Sequence, residues 1–131
     1  GGIDVQLSVA IETEQHRTRG LAPSVVSRTS FRHQYWTVAQ MVTQHTVGGC
    51  NLLPGDLLGT GTISGPTATE AGAIVELSRG GTVDVPLAHT GEVRRFLADG
   101  DSVILAGWCE REGAARIGFG ECRGTVLPAV G

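Results

Sequence analysis

The sequence predicts a β-rich α+β domain, and three observations carry that prediction. Residues 3 to 12 alternate almost without a break, with Ile3, Val5, Leu7, Val9 and Ile11 on one face and Asp4, Gln6, Ser8 and Glu12 on the other; a period of two marks a half-buried strand. Glycine supplies 20 of 131 residues, and helix-forming runs are scarce, a balance that points to many turns joining strands. Repeated strand–helix–strand units are missing, which argues against a doubly wound parallel sheet. The length suits one domain spanning residues 1–131 with a core of useful size.

The elements follow in order. Residues 13 to 29 are mostly polar, carry Arg17, Arg19 and Arg28, and read as an exposed connection. A helix is predicted from Tyr35 to Val47, where Tyr35, Val38, Ala39 and Val42 share a face and Thr37, Gln40 and Gln44 the other. Gly48-Gly49 ends it. Leu53-Pro54-Gly55-Asp56 has the Pro-then-Gly order of a type II turn. A strand from Leu57 to Ile63 would end at Gly65-Pro66, and Ala73 to Ser78 fits either a short helix or a strand. Thr82 to Leu87 and Glu92 to Leu97 read as short strands, and Ala98-Asp99-Gly100-Asp101 as a tight turn. Ser102 to Cys109, apolar on both faces, predicts a central buried strand. Arg116 to Val126 predicts a last strand with Ile117 and Phe119 on one face; Gly118 and Gly120 leave room on the other for close backbone approach.

Composition narrows the partners. Ten basic residues, all arginine, against thirteen acidic ones give a net charge of −3. No basic cluster tracks a phosphate backbone, so nucleic acid is not an expected partner. No apolar run approaches the roughly 18 residues that span a bilayer, so no membrane is expected either. The chain opens Gly1-Gly2-Ile3 without an initiator Met or a signal-peptide pattern, which suggests a piece of a longer protein. Three widely spaced cysteines, Cys50, Cys109 and Cys122, do not form a disulfide framework. They read as buried thiols in a reducing, cytoplasmic setting.

Generic catalytic motifs fail. Gly61-Thr62-Ile63-Ser64-Gly65 sets its serine one place too late for a nucleophile elbow. A dinucleotide fingerprint starting at Gly118 would need glycine where Arg123 stands. His16, His33, His45 and His89 show no pair at metal-ligand spacing, so no metal site is expected within the chain. His45 borders the apolar face of its helix and reads as a packed histidine. Asp56 should bond nearby backbone amides. Thr60, Thr62 and Ser64, flanked by Gly59, Gly61 and Gly65, are the better candidates: three hydroxyls among glycines let backbone approach a small anion and offer it donors. An ordinary β-edge is the competing reading. Glu76, between Val75 and Leu77, reads as a solvent-facing carboxylate on a strand; partly buried, it would need a partner or a proton.

A long ordered string resembles the C-terminal part of the fumarylacetoacetate hydrolase family, in its fumarylacetoacetase branch. The string runs through Tyr35-Trp36-Thr37, Thr43-x-His45-x-Val47, Gly49-Cys50-Asn51-Leu52 and Pro54-Gly55-Asp56-Leu57-Leu58. It continues with Gly61-Thr62-Ile63-Ser64-Gly65-Pro66, Glu76-Leu77-Ser78 and Phe96-Leu97-x-Asp99-Gly100-Asp101. Gly107-x-Cys109 and Arg116-Ile117-Gly118-Phe119-Gly120-x-Cys122-x-Gly124-x-Val126-Leu127-Pro128 complete it, so it spans Phe31 to Ala129.

The resemblance implies an incomplete mixed β-sandwich roll and a role within a larger enzyme. That enzyme would be a homodimer that hydrolyses a carbon–carbon bond of a small diketo acid, fumarylacetoacetate, in tyrosine and phenylalanine breakdown. It implies that Thr62 contacts substrate and that Glu76 pairs with a water-activating histidine, an orienting role for a carboxylate. It also implies a divalent metal (Ca2+ or Mg2+), whose ligands are not in this chain, and an electrophilic lysine, which the sequence lacks. The histidine, lysine and metal ligands would come from the rest of the parent chain, and this chain alone would be inactive. Two other readings stand beside it: a β-rich binding or assembly module without chemistry, and a related acylpyruvate or diketone hydrolase.

Overall fold

A computed structural model describes residues 3–131. Four antiparallel strands form the main sheet in the order β2-β1-β5-β6, with β1 Gln6–Glu12, β2 Ser24–Ser30, β5 Ser102–Cys109 and β6 Ile117–Thr125. A two-stranded ribbon pairs β3 Val85–Pro86 with β4 Val93–Arg94. The helices are α1 Glu14–Arg19, α2 Val38–Val47 and α3 Ile74–Leu77. The chain is therefore β-rich with few helices, as the sequence predicts. Among the described residues no helix is long and apolar enough to cross a membrane.

The two strands with the clearest apolar period, β1 and β5, lie at the centre of the sheet and pair along their whole lengths, from Gln6 opposite Trp108 to Glu12 opposite Ser102. Ala10 and Ile11 point to opposite faces and are both buried, as is Ile104 across from Ala10. That end of the sheet is covered on both sides, and Val85 and Leu87 of the ribbon add to its core. The other end is open. Leu105 is 46% exposed and β6 is exposed throughout, so β5 is not buried on both faces as its sequence suggests.

Residues 13 to 29 are no exposed connection, and here the sequence reading is corrected. They hold α1 and β2, and Thr13, His16, Ser24, Ser27 and Thr29 are buried. Helix α1 opens with a capping box in which His16 takes the place usually held by Glu or Gln. Gly20, in the left-handed region at φ 63°, closes it, and the Leu21 N–H reaches back to the His16 carbonyl at 2.8 Å. Strand β2 turns serine and threonine inward instead of aliphatics, so no hydrophobic period betrays it. A bulge between Val9 and Ala10 shifts the β1–β2 register as well.

Other elements move by smaller amounts. Helix α2 begins at Val38 instead of Tyr35, because Thr37 caps it: the Gln40 N–H donates to Thr37 Oγ1 at 3.2 Å and the Thr37 N–H to Gln40 Oε1 at 2.9 Å. The expected strand Leu57–Ile63 does not form; Gly61 sits at φ 73°, outside extended geometry. The strands expected at 82–87 and 92–97 shrink to two residues each. The turn at Leu53–Asp56 forms as predicted, with Gly55 at φ 99° and the Asp56 carboxylate accepting the Leu53 N–H at 2.8 Å. Gly120 proves to serve a bulge: at φ 77° it sits with Phe119 opposite the single residue Gly107, and a Cβ on Gly120 would meet nothing within 4 Å. The thiols are not buried, since Cys50 and Cys122 are exposed and Cys109 is half-buried.

Candidate functional site

The segment from Thr60 to Leu77 folds back on itself beside the open end of the sheet. A 3-10 turn at Ala68–Glu70 sits in its middle, where the Gly65 N–H donates to the Glu70 carbonyl at 3.0 Å. The Thr67 hydroxyl and amide both bond Glu70 Oε2, at 2.6 and 3.0 Å, and His33 lies 3.3 Å from Oε1. The Thr67 hydroxyl above all, then its N–H, holds the Glu70 carboxyl below its ordinary value; burial pulls the other way and His33 helps to lower it.

This turn returns the chain so that Gly72 lies against Thr62-Ile63. A Cβ on Gly72 would stand 2.5 Å from the Ile63 carbonyl oxygen and 2.6 Å from Thr62 Cγ2, closer than side-chain atoms pack. Only glycine allows this approach. From Gly72 the chain enters α3, whose third residue is Glu76. Glu76 is thus on a single helical turn and not on a strand, and it is exposed.

Glu76 is nonetheless held. Ser64 Oγ donates to Glu76 Oε2 at 2.6 Å, and the Gly72 N–H points at the same oxygen at 3.1 Å and at Ser64 Oγ at 3.0 Å. Both donors converge on Oε2; among the described residues no hydrogen bond reaches Oε1. The three hydroxyls singled out by sequence have separate fates. Thr60 Oγ1 bonds the Gly61 carbonyl at 3.1 Å and Ser64 is committed to Glu76. The exposed Thr62 hydroxyl takes no hydrogen bond among the described residues.

Thr62 opens onto a groove of about 540 Å³ whose lining includes Leu7, Thr29, Thr60, Gly107, Phe119 and Gly120. The β6 bulge sets Phe119 on the wall of this groove, and Thr29 is buried there with its hydroxyl unpaired among the described residues. The size suits a small molecule. Sequence reasoning found Thr62 and Glu76 but missed Gly72, which brings them together; the run of small residues Ala71-Gly72-Ala73 was the available signal. His45 is exposed rather than packed, on a separate groove of about 400 Å³ with Trp36, Met41 and Leu58. Among the described residues, no three His, Cys, Asp or Glu side chains gather to hold a metal ion.

The chain matches the family model described as fumarylacetoacetate (FAA) hydrolase C-terminal over residues 7–127. It is 50% identical to a fumarylacetoacetase of Caenorhabditis elegans over 127 residues, 97% of this chain and 29% of that protein. Identity is 48% to the Bos taurus fumarylacetoacetase and 46% to the Homo sapiens one, each over 128 residues with the same coverage. The chain thus spans 29% of the length of these relatives.

Proposed function

The chain belongs to the fumarylacetoacetate hydrolase C-terminal family, and from that premise we propose that it forms one wall of the active site of a fumarylacetoacetase. The parent enzyme hydrolyses fumarylacetoacetate: water adds to a carbonyl, the adjacent carbon–carbon bond breaks, and the departing carbon takes a proton, leaving fumarate and acetoacetate. The observation that carries this reading is that Thr62 and Glu76, two residues chosen from sequence, share Gly72 as a neighbour, Thr62 packing against it and Glu76 accepting its N–H.

Each residue has a task its surroundings suit. Glu76 is a carboxylate fixed through one oxygen with the other open, a geometry that can accept the N–H of an imidazole and stabilise it once protonated. The histidine would be supplied by the rest of the parent chain. Thr62 offers a free hydroxyl to a substrate oxygen at the edge of the groove, and Phe119 gives the groove an apolar wall.

Among the described residues no cluster of His, Cys, Asp or Glu side chains fits a divalent metal site. The Ca2+ or Mg2+ of this reading would sit on residues of the parent outside the chain, and none of the steps assigned to Thr62 and Glu76 runs through it. The same reading makes the parent a cytoplasmic homodimer of tyrosine and phenylalanine breakdown, and makes this chain inactive alone. The test is to purify the full-length parent and this 131-residue chain and follow release of fumarate from fumarylacetoacetate. Turnover by the parent only supports the reading; no turnover by the parent, or turnover by the chain alone, overturns it.

A further inference from the structure

We infer that Ser64 is a positioning residue of this site, acting through Glu76; the inference rests on the reading just given. An exposed carboxylate on a four-residue helix has little packing to choose its rotamer. What chooses it here is a closed triangle. The single proton of Ser64 Oγ goes to Glu76 Oε2 at 2.6 Å, within the range of charge-assisted O–H···O⁻ bonds. The Ser64 lone pair accepts the Gly72 N–H at 3.0 Å, which orients the hydroxyl so that its proton faces the carboxylate. The same N–H supports Oε2 at 3.1 Å. Among the described residues every donor to the Glu76 carboxylate is therefore on one oxygen, and Oε1 is left open to a group from outside the chain.

Two features set this apart from an incidental surface contact. Ser64 and Glu76 are twelve residues apart, so no local helical or turn geometry forces the bond. Ser64 also follows Thr62 by two residues on the same stretch that packs against Gly72, so one backbone placement sets both the substrate-side hydroxyl and the carboxylate clamp. Neither Thr60 nor Thr62 makes a bond to Glu76, which leaves Ser64 as the only side chain among the described residues that does. Its hydroxyl touches no reacting atom. Its effect is to hold Oε1 where the histidine meets it.

The test is a double-mutant cycle in the full-length parent, with kcat and KM for fumarylacetoacetate measured for the wild type, Ser64→Ala, Ser64→Cys, Glu76→Gln and the Ser64→Ala/Glu76→Gln pair. Loss of a hydrogen bond to a charged group corresponds to about a tenfold to hundredfold effect. Ser64→Ala should lower kcat by about that much while KM moves less than about threefold, because the ground-state contacts are intact. Ser64→Cys keeps the branching and one proton but weakens the donor, and should show the same kcat loss even if the alanine variant folds poorly. In the Glu76→Gln background Ser64→Ala should have no further effect. Wild-type kcat in both Ser64 variants overturns the inference while leaving Glu76's role standing, as does an equal loss in both backgrounds. Wild-type kcat in Glu76→Gln overturns the underlying reading and the inference with it.

Discussion

Thr13 Oγ1 donates to Glu92 Oε2 at 2.6 Å, joining the cap of α1 to a residue 79 positions later, just before β4. Thr13 also accepts the His16 N–H at 3.3 Å, so one buried hydroxyl caps a helix and anchors the ribbon. Thr13→Val keeps the shape and removes these two bonds together with the 2.8 Å contact of the hydroxyl with His16 Nδ1. It should cost about 2 kcal/mol, combining a lost cap with a carboxylate deprived of its donor. Urea unfolding of the variant reads this directly, and an unchanged midpoint would contradict it.

His16 is fully buried beside that hydroxyl. Its Nε2 lies 2.9 Å from the Ala88 carbonyl, which only accepts, so Nε2 carries a proton; its Nδ1 accepts the Thr13 N–H at 3.1 Å and lies 2.8 Å from Thr13 Oγ1, so Nδ1 carries none and the hydroxyl proton is shared between Nδ1 and Glu92. Long-range nitrogen–proton NMR should therefore show the neutral Nε2–H form. A protonated Nδ1 would mean the capping box is not the one described.

Acid should weaken the same region. The Thr13 hydroxyl, with Thr90 and Arg94, holds the Glu92 carboxyl below its ordinary value against the pull of burial. Burial works to raise Asp101, but the paired hydrogen bonds of Arg94 at 2.7 and 2.9 Å, the Ala98 N–H and the charges of Arg94 and Arg17 together lower it. A carboxylate lowered on folding adds stability that is fully present above its unfolded value, about pH 4, and is lost as pH falls through the folded value. Unfolding free energy should thus drop below about pH 4, and Glu92→Gln with Asp101→Asn should flatten that drop while costing stability at pH 7. An acid limb of unchanged slope would rule the pair out as its source.

Gly72 offers a contrast with Gly59. Alanine at 72 would push against the Ile63 carbonyl and Thr62 Cγ2, whereas alanine at 59 would meet nothing within 4 Å. Gly72→Ala should lower kcat of the parent enzyme about tenfold or more, since displacing a positioned group by about 1 Å costs up to about a hundredfold. Gly59→Ala should stay close to the wild type. Equal kcat in the two variants would dissociate the Gly72 contact from function.

Much of this was legible because the central strands announce themselves. The alternation of Val5 to Ile11 and the apolar run Ser102–Cys109 fall on β1 and β5. Thr37 and Gly48-Gly49 mark the ends of α2 once the cap is read as a cap. Strand β2 was hidden because Ser24, Ser27 and Thr29 are its inward residues, and period-two reasoning follows hydrophobicity, not burial. The segment 57–63 was overread as a strand because its apolar and hydroxyl residues suit one, while the φ of Gly61 does not. At the site, Thr62 and Ser64 were singled out as hydroxyls among glycines, and the roles of Thr62 and Glu76 came from resemblance. Gly72 and the bond from Ser64 to Glu76 were not legible, because both links exist only after the 3-10 turn folds the segment back.

The central claim is that Glu76 serves chemistry and not the fold, and Glu76→Gln in the full-length enzyme tests it most directly. The amide can still accept from Ser64 and Gly72, so the melting temperature should stay within about 4 °C of the wild type. The turnover number for fumarylacetoacetate should fall about a hundredfold or more, because an amide cannot stabilise a charged imidazole as a carboxylate does. Turnover at the wild-type level, or a loss that merely follows a fall in melting temperature, would contradict the account.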